Sequence, residues 1–595
     1  MGSGSSDFPG ERGVGGTVPA PWHGMLRTVS AGTAGAVGRS ASVVSGQAPL
    51  TRRRARTRVM ALTFGAAFGY ATYGLILFRR FRDGTFDLVI FDQAVRGYAH
   101  LRAPMSMARG VADGIGAHFN VLGDHWSPIL ALLAPLYWIH DGPTTLILAQ
   151  AVLFALAIPP LWMFTRRLLG PGAAYFVCGA YALSLPVAAA ISFDFHEVAF
   201  VPAMTAVLAE RLQAGRRAQA VLAAIALLMV KEDMGLLVAG YGAYLLLIRE
   251  RRLGVSFMVG GVAATWLSTR VLIPAFGGSA GFYWAYGQLG GTVTGAAWHV
   301  VTHPVEALRM AVTPGVKVST MLSLLAPLGL LSLASPMVVA AVPLLLERML
   351  ATGYPSWWTT EYHYDAFIVM VLILAAVDGA ARIQRRTHVQ VVSVRPWLRI
   401  GPRAGAGPAR APVPASGPPA QAGTRAGPAR AAAVERAPRA VPLASVWAMA
   451  VCVAAVAALP WSPFGQLLHP KFYTVNPRIN AAEVAASMVP DGALAEATDY
   501  VGPHLSGRAD VLLLDGTPRW APWVVADARG LDFPFCSPAR QAALVRYLEA
   551  HGYTQAFSRD GYVVLRRPAD ARTQAALRHP AGASELRGNG CARYR

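Results

Sequence analysis

Five short segments hold most of the chemically capable side chains of this chain. FDLVIFDQ carries Asp87 and Asp92. Five positions apart, they would lie roughly 140° from each other on a helix and on opposite faces of a strand, so they do not form a touching pair. One can point into a site while the other caps or anchors. GDHWSP joins Asp124 and His125 to a tryptophan. FDFHE places Asp194, His196 and Glu197 together, and carboxylate and imidazole ligands suit Zn, Mn or Mg according to geometry. One local triplet supplies few ligands, so a structural polar knot is read there before a divalent-metal site. MVKEDM brings Lys231, Glu232 and Asp233 into an apolar stretch, where they either pair or line a polar cavity. A lysine so placed suits a phosphate as a point charge. Arg270 and Lys317 could serve likewise or snorkel to an interface. TTEYHYD sets Glu361, His363 and Asp365 among tyrosines, and Glu361, His363 or His125 could complete a site begun elsewhere.

The elements that must position these residues are membrane helices. The 595 residues are 54% hydrophobic and 14% charged, against about 25% charged in soluble domains. Mean hydropathy is +0.39. A net charge of +21 would suggest nucleic acid in a soluble protein. Here arginines concentrate in an N-terminal tail, short loops and a Pro/Ala linker, as cytoplasmic flanks do, and nucleic acid is excluded as a partner. Cys178, Cys452, Cys536 and Cys591 show no CxxC spacing, which argues against a cysteine zinc site. A Cys536–Cys591 disulfide is left open.

Residues 1–57 read as a disordered basic tail, with no cleavable signal sequence before the first long apolar run near Val59. TRRRARTR should stay in the cytoplasm, so Val59–Phe78 runs outward and the loop at 79–128 lies outside. Threading the transmembrane domain (58–382) puts Arg166-Arg167, Arg211, Arg216-Arg217, Arg249–Arg252 and Arg382–Arg386 inside. All five motifs then fall outside. Ile129–Ile139 is too short to span and should lie at the interface or re-enter. A disordered, basic GPAR-rich linker (383–442) and a last transmembrane helix (443–460) follow, giving about eleven spans. Residues 471–567 form a small extracytoplasmic α/β domain: a helix, a strand–turn–strand unit, a second helix and a hairpin at Asp560-Gly561. Residues 568–595 read as a disordered tail.

FDLVIFDQ, LGDHWSPIL, FDFHE, LLMVKEDMGLLVAG and EYHYDAF resemble, in order, the motifs of the DUF2079-type family of bacterial multi-spanning membrane proteins, over roughly Thr85 to Asp378. ATDYVGPHLSGR resembles the family's C-terminal part. The family is similar in topology to the GT-C membrane glycosyltransferases. That resemblance implies an α-helical polytopic fold in the cell membrane with its N-terminus cytoplasmic. It also implies a polyprenyl-phosphate-linked sugar as donor and a cell-envelope glycan or lipid as acceptor on the outer face. Asp87 would be the catalytic base, with Asp92 as fallback, and Lys231 or Arg270 would face the leaving phosphate. Ile129–Ile139 then resembles the juxtamembrane helix through which such enzymes admit a lipid. The chain lacks the DD or DE pair of the GT-C first loop. Two other classes stay open: a transporter or flippase for lipid-linked or anionic solutes, and a non-catalytic membrane scaffold. Absence of an internal repeat argues against the transporter.

Overall fold

A computed structural model describes residues 49–279, 284–387, 390–391 and 441–581. The expectations for residues 1–48, most of the linker, the last fourteen residues and the Cys536–Cys591 pairing fall outside the described residues. The chain divides into two units, Met1–Arg58 and Val59–Arg595. The site lies wholly in the second.

Helix α1 (Pro49–Arg79) ends two residues before Phe81, whose φ of 54° turns the chain toward a π-helical turn at Thr85–Val89 and helix α2 (Ile90–Ala99). Then come α3 (Pro143–Ala155), α4 (Ile158–Ala182) and α5 (Leu185–Ser192), which together form one 50-residue apolar run broken at Gly170-Pro171. Among the described residues, three helical runs are long and apolar enough to cross a membrane: Arg53–Arg79, Pro143–Ser192 and Arg251–Ala275. The pair Pro304–Val312 and Gly315–Leu328, bent by 74°, makes a fourth if taken as one span. A count of about eleven goes beyond these helices. Pro128–Tyr137 is a short apolar helix that exposes Leu132 and Leu136, with Trp138 exposed just after it.

Helices α6 (Val201–Gln213), α7 (Arg217–Leu228), α8 (Met234–Leu247), α9 (Arg251–Leu267), α10 (Val342–Leu350), α11 (Val369–Thr387) and α12 (Leu443–Ala457) also belong to the helical part. Their polar residues sort by end. α6 starts four residues after Glu197 and closes on Arg211, which with Arg167 grips the buried Glu210 carboxylate. Its 13 residues put that grip about 20 Å from Glu197. α11 likewise leaves Asp365 behind and reaches the Asp378–Arg382 pair (2.6 Å) toward its far end. Such ion pairs match the arginine clusters read from the sequence, and the five motifs gather at the other end.

The C-terminal part is a five-stranded sheet in the order β2-β1-β3-β5-β4, from β1 (Leu494–Ala497), β2 (Asp510–Leu513), β3 (Trp523–Asp527), β4 (Thr554–Arg559) and β5 (Tyr562–Arg566). β1 pairs in parallel with β2 and β3; β5 runs antiparallel to β3 and β4. Helices α13 (Pro477–Ser487) and α14 (Pro538–Ala550) start at Asn476 and Ser537, whose side chains cap them just ahead of a proline at the first helical position. The Asp560-Gly561 hairpin occurs as read, with both residues at positive φ. Two expectations need correcting. The strand–turn–strand unit is a parallel pair bridged by a helical turn at Gly502–Leu505, because parallel strands need a crossover. The tail contains helix α15 (Ala571–Arg578), closed by an Asp570 capping box.

The sheet is not a separate bead. Phe81, Val89, Ile90, Ala94, Ala108 and Val121 of the 79–128 loop share one apolar core with Ile479, Ala485, Val501, Val511 and Val564. Fully burying a side chain such as Ile90 or Val564 contributes roughly 1.5–3 kcal/mol, so this seam is a substantial adhesive.

Candidate functional site

Gly84 is the pivot. Its N–H donates to Asp194 Oδ1 at 2.8 Å, and a methyl group added to it would lie 2.8 Å from Asp499 Oδ2 and 2.9 Å from Asp194 Oδ2. The two carboxylates thus bracket the backbone that leads into the Thr85–Val89 turn. Asp499 holds that turn with its own backbone and side chain: its carbonyl accepts from Thr85 N–H (2.7 Å) and Thr85 Oγ1 (2.6 Å), and its Oδ1 accepts from Phe86 N–H (3.0 Å). Burial pushes the carboxyls of Asp83 and Asp499 up to about 7. Burial, with Asp83, Asp87 and Asp499 close by, holds Asp194 well above the usual carboxylate range.

The turn presents Asp87. Its side chain is 29% exposed, and its Oδ1 lies 3.4 Å from His196 Nε2. His196 is oriented by a hydrogen bond at its other nitrogen, Nδ1 donating to the Asp194 carbonyl at 3.0 Å. Its ring stacks on His363 with centroids 3.7 Å apart, between Phe193 and Phe91. Burial, with His196, Lys231 and Arg348 nearby, holds the His363 imidazole well below its ordinary value.

Behind the histidines lies a second cluster. Lys231 Nζ is 3.3 Å from the buried Glu197 Oε1 and sits over the Phe367 ring. Glu232 accepts from His125 Nδ1 (2.8 Å) and from Trp126 N–H (3.1 Å), tying GDHWSP to the end of α8. Thr265 Oγ1 donates to the Glu232 carbonyl (2.9 Å), tying in α9. Burial pushes the Asp233 carboxyl up to about 7.

Of the residues singled out in the sequence, Asp87, Asp194, His196, Glu197, Lys231, Glu232, Asp233, His125 and His363 therefore gather at one end of the helices. Others do not join them. Asp92 is fully buried, accepting from Tyr137 Oη (2.7 Å) and pairing with Arg96 (2.9 Å). Asp124 is gripped by Arg109, which also pairs with Asp113 and lies over the Phe86 ring. Glu361 is exposed, as is Arg270, a turn and a half beyond Thr265. The buried Lys317 ammonium donates to the carbonyls of Met310 and Met349, both at 2.7 Å, rather than snorkelling. Asp194, His196 and Glu197 also diverge as a metal trio, turning to Gly84, Asp87 and Lys231 in that order. Among the described residues no group of three or more His, Cys, Asp and Glu is disposed to hold a metal ion.

Three contributors were not singled out. Arg348 of α10 donates to Asp365 Oδ1 (2.6 Å) and to the carbonyls of Trp357, Thr359 and Tyr364, fixing the loop that carries His363. An arginine inside the apolar run VPLLLERML was the available signal. Asp499 was readable only as an acid within ATDYVGPHLSGR, and Asp83 only as one of several acids of the 79–128 loop.

Residues 78–400 match the family described as predicted membrane protein DUF2079. The chain belongs to this family. No curated protein matches this DUF2079 member. Among solved structures it is similar to ArnT from Cupriavidus metallidurans bound to undecaprenyl phosphate, at 13% identity over 86% of this chain and 99% of that one, with a TM-score of 0.42. It is similar also to the Archaeoglobus fulgidus oligosaccharyltransferase tethered with an acceptor peptide, at 11% identity over 86% and 74% of the two chains, again with a TM-score of 0.42.

Proposed function

We propose that this DUF2079 protein is a membrane glycosyltransferase that moves a sugar from a polyprenyl phosphate to an acceptor hydroxyl on the extracytoplasmic face, with its N-terminus in the cytoplasm and the sheet outside. The donor class and the choice of Asp87 as base both come from the resemblance of the motifs; the geometry around Asp87 supports the second. The observation that carries it is the setting of Asp87, an accessible carboxylate oriented by an imidazole while Asp83, Asp194 and Asp499 around it are buried.

In this reading Asp87 takes the proton of the acceptor hydroxyl as its oxygen bonds to the anomeric carbon. The bond from that carbon to the phosphate oxygen breaks with its electron pair, releasing polyprenyl phosphate. Charge developing on the phosphate needs a cation. Of the two cations read from the sequence, Lys231 gathers at the end that carries Asp87 and Arg270 does not, so Lys231, which faces Glu197, is the one placed to meet the phosphate. The Tyr354–Trp357 stack, 5.0 Å between centroids, offers a face for a sugar ring.

The test is sugar transfer by the purified full-length chain in lipid nanodiscs, supplied with polyprenyl-phosphate sugars and followed by mass spectrometry of the released lipid phosphate. Transfer that disappears in Asp87→Asn supports the reading. Undiminished transfer in both Asp87→Asn and Asp92→Asn overturns it.

A further inference from the structure

Open α/β sheets bind ligands beyond the carboxyl ends of their parallel strands, where neighbouring connections leave in opposite directions. In this sheet that place lies between β1 and β3. The loops leaving the two strands meet there, Tyr500 N–H donating to Asp532 Oδ2 at 3.4 Å and Phe86 standing against Phe533 at 5.4 Å between ring centroids. No separate molecule is needed to fill it, because the chain's own Thr85–Phe86 backbone lies in it. Thr85 is completely buried, and all three hydrogen bonds of the contact end on Asp499. Gly502, at the start of the crossover turn, lies so close that a methyl group there would be 1.9 Å from Thr85 Oγ1.

We propose that Asp499 is a positioning residue for Asp87: the sheet grips the turn from one side, Asp194 grips it from the other, and the site is assembled from both halves of the chain. This rests on the reading of Asp87 as the base. Phe86 is the residue immediately before Asp87, so the hydrogen bond from Phe86 N–H to Asp499 Oδ1 acts one peptide away from the reacting carboxylate. Asp194 Oδ1 fixes Gly84 in the same way. The turn that starts at these anchors, Thr85–Val89, is π-helical, a wound-open geometry that single turns adopt mostly at functional sites. Asp499 touches no reacting atom; it sets where Asp87 points relative to His196.

The experiment uses the full-length chain in nanodiscs and compares Asp499→Ala with Asp499→Asn, whose amide oxygen can still accept from Phe86 N–H. Hydrogen exchange is read at residues 84–90, with the β1–β3 strands as the internal control for folding, alongside kcat and KM for transfer. In Asp499→Ala the turn should exchange about tenfold faster while the strands hold, and kcat should fall about tenfold with KM little changed. Asp499→Asn should restore both. Unchanged exchange in Asp499→Ala, or equal loosening in Asp499→Asn, overturns the proposal. If Asp499→Ala does not fold, Thr85→Val decides, since it removes only the hydroxyl bond to the Asp499 carbonyl and should loosen the turn in part; no loosening there overturns it. The two readings fail separately. Loosening without any transfer by the unaltered chain removes Asp87 as base and leaves the grip standing, whereas transfer with unchanged exchange removes the grip alone.

Discussion

The imidazole of His196 lies on that of His363, ring centroids 3.7 Å apart, and points its Nε2 at Asp87 Oδ1. This joins the first acidic motif to FDFHE and to EYHYDAF across more than 270 residues of sequence. It also separates the two aspartates of FDLVIFDQ by role, since Asp92 faces Tyr137 and Arg96 instead.

Asp87→Asn is expected to lower transfer by about 10²–10⁴-fold, the usual worth of a positioned base, with no loss of thermal stability. Asp92→Asn should do the reverse. It leaves Arg96 with Asp141 as its remaining carboxylate, disturbs the buried Tyr137–Asp92 contact and costs roughly 1–3 kcal/mol, read as a lower unfolding temperature in detergent.

Stability should fall as pH rises from about 4 to 7. The carboxyls of Asp83 and Asp499 sit near 7 in the folded protein, above the ordinary value of about 3.9. Their contribution is complete below about pH 4 and is lost as pH rises through 7, by up to about 1.4 kcal/mol per pH unit for each group. Asp499→Asn should flatten this slope in thermal unfolding followed across pH. His363, held neutral, works the opposite way and costs stability as pH falls below about 6.5, so His363→Gln should flatten the acid side instead.

Arg348→Met is expected to cost about 3–5 kcal/mol, because it strands the buried Asp365 carboxylate and frees three loop carbonyls. Thermal unfolding would register this. Proteolysis should then cut first within 354–365.

Gly502→Ala should cost about 1–3 kcal/mol by overpacking Thr85. The sheet should survive, with loosening confined to the seam with residues 81–90, visible as faster hydrogen exchange there.

Cysteines introduced at the exposed Glu361 and Arg216 should react with a membrane-impermeant maleimide from opposite faces of a sealed vesicle. Labelling of both from the same face would dismantle the sidedness on which the outer placement of Asp87 depends.

Sequence alone drew out residues that the fold brings together, Asp87, His196, Lys231 and His363 among them, because charge is costly in apolar surroundings. In a chain this poor in charge, Lys231 and Glu232 beside apolar helices had to meet partners, and they meet Glu197 and His125. What it missed lay in three-dimensional pairing. Nothing local in ATDYVGPH distinguishes Asp499 from a turn residue; its importance comes from a backbone more than 400 residues away. The strand at Trp523–Asp527 escaped because WVVAD is short, follows a proline and lacks the alternation of a half-exposed strand. Short spans were unreadable for a related reason: segments such as 326–341 are broken into 3-10 turns whose apolar composition says nothing about helical continuity.

The hydrogen bond from Phe86 to Asp499 joins residues 413 positions apart. At roughly 5–20 residues per second, a ribosome would take some 20–80 s to deliver the second after the first. Throughout that interval Phe81, Val89 and Ile90 lack the sheet half of their core, Ile479, Val501 and Val564. The nascent loop must wait beside the membrane with its sticky face bare, and a chaperone or an insertase would have reason to guard it until the last hundred residues emerge.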